Sequence, residues 1–172
     1  MILILNGSPR TNGLTAQMIA ALRDGALAAG QAVRQFDVCR MNVRGCIACE
    51  FCHTRGGGRC VQKDDMQEIY PLLRQAETLV LASPIYYHNL SGQLKCVIDR
   101  FYAALFPEKP APLQRAVMLL ASGDEDVYDG ALYSLQGDFA DYLELETTYF
   151  TAHGGAVPEE TLDAIREYGK TL

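Results

Sequence analysis

Apolar positions along the chain alternate between two patterns. Ile2 to Leu5 is a short continuous apolar run that stops at Asn6-Gly7-Ser8-Pro9, which predicts a buried strand ending in a turn. From Leu14 to Ala29 the apolar residues Leu14, Met18, Leu22 and Ala26 recur every fourth position, the period of a helix face, and Gly30 is placed to end it. Ala32 to Val38 suits a second strand, after which the pattern dissolves into an irregular stretch from Cys39 to Lys63. Asp65 and Glu68 have capping-box spacing ahead of Ile69, Leu72, Leu73 and Ala76. Thr78 to Ala82 predicts a third strand stopping at Ser83-Pro84, followed by a loop to Ser91. Leu94, Val97, Ile98, Phe101 and Tyr102 then mark an amphipathic helix that Pro107 to Pro112 closes. Ala116 to Ala121, a turn at Ser122-Gly123-Asp124, a helix over about 129–143, a strand over about 145–151 and a helix from Pro158 complete the order.

Strict strand–helix alternation predicts an α/β fold, a doubly wound five-stranded parallel sheet with helices on both faces. Ligands of such sheets bind beyond the carboxyl ends of the strands, where the strand order reverses. The loops after the first, third and fourth strands are therefore the ones to search. At 172 residues with 49% hydrophobic content, the chain reads as one domain spanning 1–172, with a cysteine-rich loop at about 39–63. A net charge of −6 argues against nucleic acid or an anionic membrane as partner, since phosphate backbones are held by clustered Lys and Arg. The four-residue apolar run after Met1 is too short for an export signal and no stretch reaches a bilayer's width, so a cytoplasmic location is expected.

Two loops carry candidate chemistry. The first reads Gly7-Ser8-Pro9-Arg10-Thr11-Asn12-Gly13-Leu14-Thr15 and leads into a helix N-terminus, where free N–H groups and the helix dipole favour an anion. Ser8, Thr11, Asn12 and Thr15 add hydroxyl and amide groups, and Arg10 adds charge. The loop lacks both G-x-G-x-x-G and G-K-[ST], which favours a terminal monophosphate over a dinucleotide or a triphosphate. Asn12 as a simple helix cap is the competing explanation. The second loop, Ala82-Ser83-Pro84-Ile85-Tyr86-Tyr87-His88-Asn89, sets a stiff proline and two aromatics at a strand end, where a planar ring could stack. Packing of Tyr86 and Tyr87 in a core or between subunits competes with that. His53, His88 and His153 read as surface or capping residues, and no catalytic side chain is nominated because hydride transfer needs none.

GSPRTNGLT followed by ASPIYYHNLSGQLKCVIDRFY resembles the NADPH-dependent FMN reductase family over the chain up to about residue 123. The resemblance implies a flavodoxin-like fold with strand order 2-1-3-4-5. It also implies an FMN phosphate held by Ser8, Arg10, Asn12, Gly13, Leu14 and Thr15, with Thr11 beside them, and an isoalloxazine ring met by Pro84, Ile85, Tyr86 and Tyr87. Asn89, Ser122 and Gly123 complete the expected cofactor contacts. Members of the family imply NAD(P)H as co-substrate and a homodimer or homotetramer.

Cys46, Cys49, Cys52 and Cys60 follow the spacing C-x2-C-x2-C-x7-C. Four thiolates in one flexible segment can hold an iron-sulfur cluster or zinc, or can stay free. The segment resembles that of iron-sulfur flavoproteins of the same fold, which implies a 4Fe-4S cluster. Cys39 and Cys96 read as small buried hydrophobes, and Asp64 and Asp65 as capping residues. The expected activity is an FMN-dependent NAD(P)H oxidoreductase passing electrons to a small-molecule or protein acceptor: a flavin, a quinone or an iron-sulfur centre. The alternative is an iron-sulfur flavoprotein that carries electrons between protein partners; a zinc-stabilised interaction module would explain the cysteines alone.

Overall fold

The computed structural model describes residues 1–172. Strand β1, Ile2–Asn6, is buried along its whole length because it is central in the sheet and covered on both faces. Leu3 and Leu5 belong to one core, and Ile2 and Ile4 to the other. That two-sided burial explains why its apolar run is continuous rather than alternating.

Helix α1 (Leu14–Ala28) follows, then β2 (Val33–Phe36) and a single 3-10 turn at Val38–Arg40. The cysteine segment contains only the short α2 (Phe51–Thr54), ahead of α3 (Met66–Leu73). Next come β3 (Thr78–Tyr86), the two-residue β4 (Asn89–Leu90), α4 (Gly92–Asp99) and α5 (Tyr102–Leu105). The chain closes with β5 (Arg115–Ser122), α6 (Asp129–Ser134), wider π-type turns over Leu135–Tyr142, β6 (Glu146–His153) and α7 (Glu159–Lys170). The sheet runs β2-β1-β3-β5-β6, with all four of these pairings parallel. With the small β4 set aside, this is the expected 2-1-3-4-5 order of the flavodoxin-like class.

Helices α1 and α7 cover one face, burying Met18, Leu22 and Ile165 against Ile4, Val80 and Leu119. They approach so closely that a Cβ on Gly25 would stand 2.0 Å from the Arg166 carbonyl oxygen. The opposite face buries Ile69, Leu73, Leu94, Val97 and Phe139 against Leu5, Leu81 and Met118.

Four local expectations need correction. Strand β3 does not stop at Ser83-Pro84: it stays paired to β5 through Pro84 and then folds onto β4, with Ile85 opposite Leu90 and Tyr86 opposite Asn89. The expected loop is thus a hairpin, turned by Tyr87 and His88 at φ 49° and 63°, the left-handed pair that a two-residue turn requires. The helix expected through Tyr102 is divided, because i→i+3 bonds from Arg100 to Val97 and from Phe101 to Ile98 tighten the chain between α4 and α5. Asp65 makes no capping bond, since its carboxylate accepts the Asn42 N–H at 2.7 Å instead. Asp64 is not a cap either but half of a buried ion pair with Arg100.

Candidate functional site

Loops from the carboxyl ends of β1, β3, β5 and β6 enclose a cavity of about 720 Å³. Its floor is the segment Ser8 to Thr15. Asn6 organises this turn: its amide donates to Asp37 at 3.0 Å while its oxygen accepts the Ser8 N–H at 2.9 Å. The Asn6 and Gln35 hydrogen bonds hold the Asp37 carboxyl below its ordinary value, so it stays an acceptor. The Ser8 hydroxyl accepts the Arg10 N–H at 3.3 Å, and the Cys39 thiol donates to the Ser8 carbonyl at 3.0 Å. Burial pushes that thiol's pKa up, with Asp37 adding to the effect, which keeps the proton on sulfur. Cys39 is therefore a half-buried donor rather than only a buried apolar filler, and Cys96 is half-buried as well.

The amino end of α1 opens onto the floor. No side chain caps it, and its first turn carries no acidic residue. Asn12 is thus not a helix cap, and the orphan N–H groups of the first turn keep their capacity for an anion. Arg10 is the sole charged residue among those lining the cavity, so the local field there opposes the chain's net charge of −6.

One wall is Pro84, Ile85 and Tyr86 at the end of β3, and Ala121, Ser122 and Gly123 continue the lining from the neighbouring β5, where Ala121 stands beside Pro84. Ser91 ties the first wall to the floor. Its N–H donates to Ser83 Oγ at 2.9 Å, and its hydroxyl donates to the Gly7 carbonyl at 3.0 Å while receiving the Leu94 N–H. Gly7 permits this junction, since a Cβ there would stand 2.5 Å from Ser91 Oγ and 2.8 Å from Leu94 Cβ.

Twelve of the expected cofactor residues line this one cavity: Ser8, Arg10, Thr11, Asn12, Gly13, Leu14, Thr15, Pro84, Ile85, Tyr86, Ser122 and Gly123. Tyr87 and Asn89 do not; they lie at the hairpin tip, where Tyr87 is fully exposed. Sequence reasoning missed Gly154 and Gly155, which close the cavity from the loop after β6. A Gly-Gly pair directly after the last strand was the available signal. Gln17, one turn into α1, also lines it and had no such signal. The histidines stand apart from the lining: His53 packs against Tyr102 and Phe106, and His153 lies 2.8 Å from Glu125.

The four clustered cysteines surround a second, much smaller cavity of about 20 Å³ under α4 and α5. Cys46 and Cys49 are exposed, Cys60 is half-buried and Cys52 is buried, where desolvation raises its thiol pKa. No three Cys, His, Asp or Glu side chains stand in metal-binding geometry. Ala48 and Glu50 both take left-handed backbone angles, at φ 52° and 54°. Beneath the segment lies the Arg100–Asp64 pair, both side chains 1% exposed, with Nη1–Oδ2 at 2.7 Å and Nη2–Oδ1 at 3.1 Å. Burial raises the Asp64 pKa, but the Arg100 hydrogen bonds and the Arg44 N–H outweigh it and hold the carboxyl below its ordinary value.

No helix is long and apolar enough to cross a membrane. Residues 1–155 match the family model for NADPH-dependent FMN reductase. Among curated relatives, an iron-sulfur flavoprotein of Methanocaldococcus jannaschii is 34% identical over 121 residues, 70% of this chain and 60% of the relative. One of Methanosarcina thermophila is 34% identical over 96 residues, 56% of this chain and 49% of the relative. The chain thus spans three fifths or less of the length of these relatives. Among solved structures, an NAD(P)H:quinone oxidoreductase from Methanothermobacter marburgensis superposes with a TM-score of 0.73 at 19% identity, covering 99% of this chain and 93% of that one. An FMN-dependent NADH-azoreductase from Bacillus anthracis in complex with FMN gives 0.70 at 18% identity, covering 99% and 96%. At that identity the structures speak for the fold, while the family match, which extends from the phosphate-binding type of loop to the glycines after β6, is decisive: the chain belongs to the NADPH-dependent FMN reductase family.

Proposed function

We propose that the protein is an FMN-dependent NAD(P)H oxidoreductase that passes electrons from a nicotinamide to a second acceptor. The observation that carries this is the 720 Å³ cavity, which joins an uncapped helix N-terminus and one arginine at one end to a Pro-Ile-Tyr wall at the other. Bound FMN would supply hydride and electron chemistry, and the protein the binding and orientation. In this reading Ser8, Arg10, Thr11, Asn12 and Thr15, with the N–H groups of Gly13 and Leu14, hold the phosphate. Pro84, Ile85 and Tyr86 flank the ring, with Ser122 and Gly123 continuing the lining beside them. Tyr87 and Asn89, outside the cavity, are assigned to its rim. Tyr86 is 47% exposed, which leaves the ring face open to substrates in turn. A homodimer or homotetramer fits the exposed Tyr133, Tyr142 and Tyr149 and the apolar groove between Phe101, Phe106 and Tyr142.

A second reading, an iron-sulfur flavoprotein working as an electron carrier, is favoured by the four cysteines around one small cavity. Four thiols are chemically the donor set of a thiolate-ligated cluster, and binding one would require the exposed Cys46 and Cys49 to turn in from the surface. Steady-state oxidation of NADPH and NADH by FMN-loaded protein, with quinone or free flavin as acceptor, separates the two. Turnover with either nucleotide supports the reductase. Reduction only by a protein donor such as a ferredoxin supports the carrier.

A further inference from the structure

Arg100 is nearly inaccessible to solvent and lies at the carboxyl end of α4, directly under the cysteine segment. Four hydrogen bonds to three residues account for most of its polar capacity. Nη1 donates to Asp64 and to the Arg44 carbonyl at 2.9 Å, Nη2 donates to Asp64, and the Arg100 carbonyl accepts the Tyr70 hydroxyl at 3.2 Å. Its Nε–H has no partner and is the one buried side-chain nitrogen or oxygen in the molecule left unpaired. An unpaired buried donor costs about 1–3 kcal/mol, more on a charged group, so native proteins rarely retain one without a bound water, ion or ligand, or a functional reason.

The surroundings indicate what that ligand is. Arg100 and Tyr70 line the same 20 Å³ cavity as Cys46, Cys49, Cys52 and Cys60. Asp64 fixes the guanidinium plane through its two-pronged bond, which leaves Nε no freedom to turn toward another acceptor. Beside the tyrosine hydroxyls, the side-chain acceptors lining the cavity are the four cysteine sulfurs and the oxygens of Glu50, Gln62 and Asp99, of which Glu50 already accepts the Tyr102 hydroxyl and Asp99 already pairs with Lys95.

We propose that the Arg100 Nε–H donates a hydrogen bond to a sulfur of the group held by Cys46, Cys49, Cys52 and Cys60, either a cysteine thiolate or an inorganic sulfide, and so raises the reduction potential of that group. Hydrogen bonds to cluster sulfurs and nearby positive charge both stabilise the more electron-rich state. Arg100 is a positioning residue in this scheme, because it touches the ligand sulfur rather than the reacting ring. Asp64 is the partner that aims it. The inference rests on the reading of the four cysteines as ligands.

The test uses full-length protein purified anaerobically from cells grown on 15N-arginine, with iron and acid-labile sulfide assayed first. Pulsed electron paramagnetic resonance of the dithionite-reduced protein is expected to show a nitrogen coupling that changes from 14N to 15N with labelled arginine. The coupling is lost in Arg100→Lys, which keeps the charge but has no Nε–H in that place. The variant's cluster should also be about tenfold harder to reduce in its one-electron equilibrium, about 59 mV lower in potential. Iron and sulfide with no arginine nitrogen coupling in the wild-type protein would overturn the proposal while leaving the cluster in place. Protein without iron after anaerobic purification and reconstitution would remove the cluster reading itself, and the proposal with it. Because the wild-type spectrum decides, a variant that fails to fold does not rescue the idea.

Discussion

The flavin-type cavity and the cysteine segment are built in opposite ways. The cavity is made of short loops whose ends are fixed by parallel strands of the sheet and whose turns are cross-bonded by Asn6, Ser83 and Ser91. The cysteine segment has almost no regular structure, carries two left-handed non-glycine residues and exposes two of its four thiols. Its deepest attachment is a single buried ion pair, Arg100–Asp64. The first cavity is thus preformed by the backbone, whereas the fold alone does not bring the four thiols together, and a thiolate site there would depend on its ligand to complete it.

The largest effect expected from breaking this contrast is at the ion pair. Asp64→Ala leaves Arg100 charged and unpaired in the interior and should cost about 3–5 kcal/mol, read as a lower urea midpoint, together with faster proteolysis within 39–63. Gly7→Ala acts at the other region: the new methyl meets Ser91 Oγ and Leu94 Cβ and must push the floor from the wall. Overpacking of this kind costs about 1–3 kcal/mol, and FMN affinity should fall by more than the stability loss explains, measured by flavin fluorescence.

Thr15→Val is the sharper probe. Thr15 is 2% exposed on the first turn of α1 and lines the cavity. Removing its hydroxyl while keeping its shape should weaken FMN binding about five- to tenfold, about 1–1.4 kcal/mol, with the melting temperature of the FMN-free protein nearly unchanged. Acid should separate the regions too. The folded-state pKa of Asp64 lies below the 3.8 of an ordinary aspartate, so the unfolded chain takes up its proton first. The stability it contributes is fully present above that value and is lost as the pH falls further through the folded pKa. Urea midpoints measured from pH 7 to pH 3 should therefore fall less steeply in Asp64→Asn than in the wild-type protein. The smallest effect belongs to Lys95→Ala, which removes an exposed i,i+4 pair with Asp99 and should change stability by no more than about 0.5 kcal/mol.

The same contrast explains what could be read before the structure. Residues fixed by the sheet were legible: the buried run Ile2 to Leu5, the four-residue periodicity of α1, and the phosphate-type loop between them. Twelve expected residues meet in one cavity because strand ends place them there. What escaped depends on long-range partners. Asp64 and Asp65 sit where caps sit, and only the packing of α4 against residues 42–44 shows one as an ion-pair partner and the other as an acceptor for Asn42. The β3–β4 hairpin escaped because its turn uses Tyr87 and His88 in left-handed conformations that glycine or asparagine ordinarily supply. Gly154 and Gly155 escaped because the strand order directed attention to the switch point and away from the last strand.

The central claim is that the cavity between Ser8 and Gly155 binds FMN. Equilibrium titration of flavin-free protein with FMN, followed by quenching of flavin fluorescence and compared with riboflavin, tests it directly. The account predicts one FMN per chain and much weaker binding of riboflavin, which lacks the phosphate that the α1 N-terminus and Arg10 would hold. Equal affinity for the two, or none for FMN, would contradict it.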